Sequence, residues 1–166
     1  MQTALPQGSK ASDLRRKSEW YGDKLETRIL GTTEADIRLA AEILRGGGLV
    51  AFPTETVYGL GADALNAEAV GKVYAAKGRP SDNPMIVHIS QKGDMTKLTD
   101  GITPDMEKLM AAFWPGPLTM VVPAKDLIPR VTTGGLATVG VRMPEDETAR
   151  ALIAAAGTPI AAPSAN

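Results

Sequence analysis

The sequence predicts an α+β protein, close to α/β, built on a mixed, twisted, open β-sheet flanked by helices. Short runs of branched apolar residues, typical of strands, alternate with segments whose apolar residues recur every three or four positions, typical of amphipathic helices. The alternation is irregular, no repeat is present, and 166 residues suit one domain. These observations favour a mixed sheet with helices packed on it.

The composition excludes several classes of function. Cysteine is absent, which removes disulfides, thiolate zinc sites and cysteine nucleophiles and fits a reducing compartment. No apolar run approaches membrane-spanning length, so we predict no membrane partner. The net charge of −1 argues against a general polyanion binder. Phosphate binding therefore has to rest on a local cluster of cations.

The chain divides into a polar N-terminal tail, residues 1–24, and a domain over 25–166. The tail is rich in Gly, Ser, Lys and Arg and shows no sustained apolar period. We expect a cytoplasmic protein. Basic residues of the tail leave a mitochondrial location as the alternative.

The first helix of the domain is predicted after Thr33, with an apolar stripe of Ile37, Ala40, Ala41 and Leu44. Three glycines, residues 46–48, end it. They form a C-cap and not a phosphate loop, because phosphate loops lead from a strand into a helix and these lead out of one. A short buried strand, residues 49–52, follows.

Two nucleotide-binding motifs are suggested by the next segment, and both fail. Residues 59–64 match the loose dinucleotide pattern G-x-G-x-x-A, but the next helix starts only near Asn66 and no acidic ribose ligand follows. Gly71-Lys72 lacks the first glycine and the Ser or Thr of a Walker loop. The helix from Asn66 ends near Lys77, and its inner face carries Val70, Val73 and Tyr74.

The octapeptide Lys77–Pro84 leads into a strand over 85–89 and is the most unusual stretch of the chain. Its two prolines push Arg79 and Asn83 out of the helical region, so we expect both on an extended, rigid segment. A guanidinium held in this way suits bidentate contact with carboxylate or phosphate oxygens. A solvated loop that merely ends the helix is an equal alternative.

The later elements follow the same alternation. Thr103 caps a helix whose predicted core stripe is Met106, Leu109, Met110 and Phe113, and Trp114 is also assigned to the core. Strands are predicted over 118–122 and 138–142, a helix over 145–156, and a buried strand in 159–166. In strand 138–142 the side chains of Thr138 and Arg142 share a face with Gly140, so Arg142 is either a rim charge or an anion ligand.

Five ordered motifs resemble those of YrdC-type domains, the catalytic domain of threonylcarbamoyl-adenylate synthases. They are FPTETVYGLGADA, KGRPSDNPMIVHI, FWPGPLT, VGVRMP and APSAN. The resemblance runs from about residue 31 to 166. It implies that the family domain continues past Asn166, so we expect the domain to be C-terminally incomplete in this chain.

The resemblance also implies an activity and a set of site residues. Proteins of this family join L-threonine, bicarbonate or CO2, and ATP with Mg²⁺ into threonylcarbamoyl-adenylate and pyrophosphate, and partner transferases then modify tRNA. By motif, L-threonine is assigned to Thr56, His88, Arg142 and the backbone at Ala162. ATP and its phosphates are assigned to Lys77, Arg79, Asn83, Thr138, Ser164 and Asn166, of which Lys77 and Arg79 are also catalytic. No protein side chain is expected to bind the metal.

This chemistry suits such residues, because attack of a carbamate oxygen on the α-phosphate needs positioning and positive charge more than covalent help. His88, the single histidine, is otherwise most simply a buried core histidine. Two alternatives stay open. One is a carbamoyl-adenylate-forming domain of the hydrogenase-maturation type, and the other is a double-stranded RNA-binding or ribosome-maturation module, which would make RNA a further contact.

Overall fold

A computed structural model describes residues 26–166. The predicted tail, residues 1–24, lies outside the described residues, and the boundary at 25 stays a prediction. Residues Thr32–Asn166 form one compact unit. Its helices are α1 (Glu34–Arg45), α2 (Ala67–Lys77), α3 (Met95–Leu98), α4 (Pro104–Phe113) and α5 (Glu147–Ala156), with a 3₁₀ turn at Lys92–Asp94. Its strands are β1 (Val50–Phe52), β2 (Gly59–Asp63), β3 (Ile86–His88), β4 (Met120–Pro123), β5 (Thr138–Arg142) and β6 (Ile160–Ala161).

The predicted helix boundaries are confirmed by their caps. Thr33 and Asp36 form a reciprocal capping box at the start of α1. The side chain of Asn66 accepts two backbone N–H groups at the start of α2, and Gly78 ends that helix in the left-handed conformation. Thr103 caps α4, with Pro104 at its first position. Side chains at the helix ends thus satisfy backbone groups that the helices leave free.

The sheet is mixed and open, as predicted, with strand order β1-β2-β6-β3-β5-β4. Only β3 and β5 run parallel, and every other neighbouring pair is antiparallel. The strands are short, between two and five residues. Long-range order in the sheet therefore depends on packing against it more than on any single strand.

The two faces of β3, β5 and β4 differ sharply in burial. On one face Val87, Val139 and Val141 are at most 2% exposed and belong to the main apolar cluster, which also takes side chains from α2, α3 and α4. On the other face Ile86, Thr138 and Gly140 are only partly buried, and Val121 of β4 is 71% exposed, whereas His88 and Arg142 at the carboxyl ends of β3 and β5 are 3% and 8% exposed. The exposed part of this face, around Thr138, offers a surface on which a ligand can lie.

Three sequence-based expectations were wrong. Residues 59–63, considered only as a glycine motif, form β2, which pairs with β1 and β6. Phe113 is 54% exposed and Leu109 41% exposed, so only Met110 and the partly buried Met106 of the predicted stripe pack on the core, while Trp114 is in the core as predicted. The octapeptide is not extended throughout, because it turns where the Asn83 N–H donates to the Pro80 carbonyl at 3.4 Å. His88 is only 3% exposed, which agrees with the simplest interpretation of the sequence, a buried core histidine.

In the part of the chain that the structure describes, no helix is both long and apolar enough to cross a bilayer.

Candidate functional site

Several of the predicted site residues lie on the open face of the sheet. His88 of β3 is paired with Arg142 of β5, and Ile86 is paired with Gly140. His88 is also paired with Ile160 of β6. Because paired residues on neighbouring strands point to the same side and side chains alternate along a strand, Thr138 and Ala162 join this set. We call the face that carries His88, Arg142, Thr138 and Ala162 the site face.

The predicted residues divide between the two ends of the site face. Arg142 and His88 lie at the carboxyl ends of β5 and β3, and Thr138 lies at the opposite end of β5. Asn83 precedes β3 and therefore lies at the Thr138 end. Four residue steps along β5 separate the two ends by about 13 Å. This span suits two ligands lying end to end, or one elongated ligand.

Lys77 is held by hydrogen bonds to the motif APSAN, residues 162–166. Its Nζ donates to the carbonyl oxygens of Ser164 and Asn166, at 2.6 Å each. Ser164 in turn forms an isolated bridge with Gly59, the first residue of β2. The structure therefore brings together Lys77, Ser164 and Asn166, which come from two motifs that are 87 residues or more apart in sequence.

Arg79 lies over the ring of Tyr74, with its guanidinium carbon 5.8 Å from the ring centroid. One terminal nitrogen donates to the Asn83 carbonyl at 3.3 Å. Its Nε is buried and has no partner among the described residues. A guanidinium that lies against an aromatic ring and keeps an unpaired N–H can receive an anionic ligand.

The octapeptide that carries Arg79 packs against Tyr74 and Gly134. The Tyr74 hydroxyl contacts the carbonyls of Asn83 and Val131, at 2.8 and 3.0 Å. Gly134 has φ +60°, and a Cβ at this position would lie 2.7 Å from the Asp82 carbonyl oxygen. Only glycine therefore allows this close approach without strain. Burial raises the pKa of Tyr74, against the opposing effect of the Arg79 charge, so its hydroxyl keeps its proton at neutral pH.

Arg142 is paired with Glu55, a residue that sequence reasoning did not select. Their side chains are only 9% and 14% exposed. Nε of Arg142 donates to Glu55 Oε1 at 3.1 Å, and Nη2 makes a very short contact with the same oxygen. Nη2 also reaches Thr56 Oγ1 at 3.3 Å. Burial alone raises the pKa of Glu55, but the hydrogen bonds and positive charge of Arg142 outweigh it, so the net pKa lies below the ordinary value.

His88 is a neutral polar group in the floor of the site face. Its ring meets Phe52 edge-on, with centroids 5.9 Å apart. Burial lowers the pKa of His88 from 6.5 to about 4, and the neighbouring charge of Arg142 acts in the same direction. Nδ1 is buried and has no partner among the described residues. A neutral imidazole can exchange one hydrogen bond with a ligand, but it cannot serve as a cation at neutral pH.

Two other predicted residues are also located by the sheet. The N–H of Ala162 donates to the Ile86 carbonyl at 3.0 Å, so any backbone contact with a ligand has to use its carbonyl. Thr138 is partly exposed at the start of β5. A separate cleft of ≈ 450 Å³ lies between the 3₁₀ turn and the end of α5, and none of the ten predicted residues lines it.

Glu55 and Tyr74 are the contacts that sequence reasoning missed. Tyr74 was assigned only to the apolar face of α2, and Glu55 was given no role. The pairing of Glu55 with Arg142 spans 87 residues, and no local pattern reports it. A buried-looking arginine in a strand signals that some carboxylate must compensate its charge, but not which one.

The fold and the site define a class. This is an α+β domain with a mixed sheet, in which Arg142 is paired with Glu55 at one end of the site face and Lys77 and Arg79 lie in the segment that precedes β3. Residues 42–166 match the family model Sua5/YciO/YrdC, described as "Telomere recombination". The chain belongs to this family.

Two of the curated relatives that the chain resembles carry the same name. A protein of Pyrococcus abyssi named threonylcarbamoyl-AMP synthase is 56% identical over 80% of this chain and 39% of its own length. A Bacillus subtilis protein of the same name is 52% identical over 91% of this chain and 43% of its own length. The crystal structure of P. abyssi Sua5 complexed with L-threonine superposes with a TM-score of 0.79 at 54% identity, covering 84% of this chain and 40% of that one. The chain thus spans about two fifths of the length of these relatives.

Proposed function

We propose that this domain forms threonylcarbamoyl-adenylate from L-threonine, bicarbonate or CO2, and ATP. The amine of threonine and bicarbonate give a carbamate and water. A carbamate oxygen then bonds to the α-phosphorus of ATP, and the bond to the departing pyrophosphate breaks. The single observation that supports the proposal best is the shared site face, because β3 and β5 place His88 and Arg142 at one end and Thr138 at the other.

The charge distribution supports a division of labour along this face. The guanidinium of Arg142 suits the carboxylate of threonine, with Thr56 beside it and the carbonyl of Ala162 and neutral His88 on the same face. Lys77, with Ser164 and Asn166 beside it, and Arg79, with Asn83 beside it, suit the phosphates and the nucleotide, and we assign Thr138 to the same ligand. Positive charge fixed before the reaction stabilises the charge that develops on the phosphate oxygens, which is the catalytic role that we assign to Lys77 and Arg79.

ATP is proposed to arrive as its Mg²⁺ complex, with the metal carried by the phosphates. Among residues 26–166, no cluster of three or more His, Asp or Glu side chains could hold a metal ion. Two further proposals follow from the reaction. The first is a partner protein that transfers the threonylcarbamoyl group to tRNA, because the acyl-adenylate product is labile. The second is a cytoplasmic location, in which the domain and that partner act together.

The test is pyrophosphate release from ATP by the purified protein that carries this chain, with and without L-threonine and bicarbonate. We expect release only when both are present, together with a threonylcarbamoyl-adenylate product identified by mass spectrometry. Dependence on carbamoyl phosphate in place of threonine would point to the hydrogenase-maturation type of chemistry. No turnover, combined with tight and salt-sensitive RNA binding, would point to an RNA-binding module and overturn the proposal.

A further inference from the structure

The contacts of Glu55 occupy one edge of the Arg142 guanidinium. Nε and Nη2 both point to Glu55 Oε1, Nη2 also reaches Thr56, and Nε approaches the Gly116 carbonyl at 3.4 Å. Within residues 26–166, Nη1 has no hydrogen-bond partner, and it is not among the buried nitrogens that lack one. The edge that contains Nη1 is therefore the one from which a ligand can approach.

Glu55 also makes a contact outside its pair with Arg142. Its Oε2 accepts the backbone N–H of Glu145 at 3.2 Å, just beyond β5. On the other side, Thr54 Oγ1 accepts the backbone N–H groups of Thr56 and Val57, at 3.2 Å each. This small turn fixes the backbone on both sides of Glu55. The carboxylate is therefore a rigid support for Arg142 and not a mobile counter-charge.

We propose that Glu55 is a positioning residue for substrate binding. By occupying the Nε edge of Arg142, it fixes the guanidinium so that the Nη1 edge meets the carboxylate of L-threonine in one orientation. Glu55 also compensates a cation that is almost fully buried, which stabilises the site before any substrate arrives. This inference rests on the proposed function, since it concerns the same site and the same amino acid.

A double-mutant cycle tests the inference. We expect Glu55→Gln, which keeps the shape but removes the charge, to raise the KM for L-threonine at least roughly 10-fold and to leave the KM for ATP nearly unchanged. Arg142→Lys is expected to raise the KM for L-threonine as well. Because Glu55 acts through Arg142, adding Glu55→Gln to Arg142→Lys should have little further effect on this KM. Additive effects, or an equal rise in the KM for ATP, would overturn the assignment.

Two further variants separate positioning from folding. Glu55→Asp keeps the negative charge but is one methylene shorter, so it cannot span Arg142 and the Glu145 N–H together. It should show the same threonine-selective loss with an almost unchanged melting temperature. Glu68→Gln is the matched control, because Glu68 is 85% exposed on α2 and pairs only with Lys72 in an i,i+4 contact.

Calorimetric titration with L-threonine provides a readout without turnover. Wild-type protein that neither binds L-threonine nor forms the adenylate overturns the proposed function, and the role of Glu55 with it. Wild-type protein that binds L-threonine, while Glu55→Gln and Glu55→Asp bind it equally well, overturns the role of Glu55 alone.

Discussion

The single buried histidine makes the stability of this domain depend on pH in a defined direction. The pKa of His88 falls from 6.5 to about 4 because burial disfavours the imidazolium and the charge of Arg142 repels it. Between these two pH values the unfolded chain binds a proton at this site and the folded chain does not. A histidine whose folded pKa is lowered therefore stabilises the unfolded state as the pH falls below 6.5.

The size of the effect follows from the two pKa values. With 6.5 for the unfolded chain and about 4 for the folded chain, linkage gives a loss of about 2 kcal/mol in the free energy of unfolding between pH 7 and pH 5. The full loss, reached below pH 4, is about 3 kcal/mol. Carboxylates add little to this change down to pH 5, because most of them stay ionised there.

Urea unfolding at pH 7 and pH 5 measures this change, and His88→Asn provides the comparison. Because the chain has one histidine, the variant should lose about 2 kcal/mol less than the wild type over this range. Proton NMR of the single imidazole should give a pKa near 4 in the folded protein. Equal losses in wild type and variant, or an imidazole that titrates near 6.5, would refute the reasoning about burial and Arg142.

Five substitutions test other parts of the structure. Arg79→Ala should lower adenylate formation at least roughly 100-fold while the melting temperature stays near the wild-type value, because Arg79 lies outside the apolar core and its hydrogen bond to the Asn83 carbonyl is exposed. Tyr74→Phe should raise the KM for ATP and cost about 1 kcal/mol of stability, since it leaves two carbonyls without the hydroxyl. Gly134→Ala should cost more than about 2 kcal/mol in urea unfolding, because its Cβ meets the Asp82 carbonyl. Trp114→Ala should cost about 3 kcal/mol or more in the same assay, and Phe113→Ala less than about 1 kcal/mol.

Each of these predictions has a contradicting result. A melted Arg79→Ala protein would make the residue structural, and Arg38→Ala, at an exposed pair with Glu34, is its control. An unchanged KM for ATP in Tyr74→Phe would mean that the octapeptide does not depend on the hydroxyl. A stable Gly134→Ala protein would contradict the close approach of the two loops. A larger loss for Phe113→Ala than for Trp114→Ala would reverse the assignment of the core.

Local signals in the sequence were sufficient for the helices and for part of the site. Thr33, Asn66 and Thr103 are helix caps that act over three or four residues, and all three begin helices as predicted. The alternation in strand 138–142 predicted that Thr138, Gly140 and Arg142 share a face, and the strand has these same bounds. Such features depend on neighbours in the chain, so the sequence reports them directly.

Features that depend on distant partners were missed. Residues 59–63 include two glycines and no β-branched residue, and they form a strand only because β1 and β6 flank them. The helical period of α4 could not decide which of its apolar residues would be covered, and Phe113 is left exposed at the helix end. The pairing of Glu55 with Arg142 likewise requires the complete sheet.

The most direct test of the account is a structure determined with L-threonine and a non-hydrolysable ATP analogue with Mg²⁺. The account predicts both ligands on the site face, with the threonine carboxylate hydrogen-bonded to Arg142 and the phosphates within reach of Lys77 and Arg79. Either ligand bound instead in the cleft beside α5, or the two ligands bound on different faces of the sheet, would contradict it.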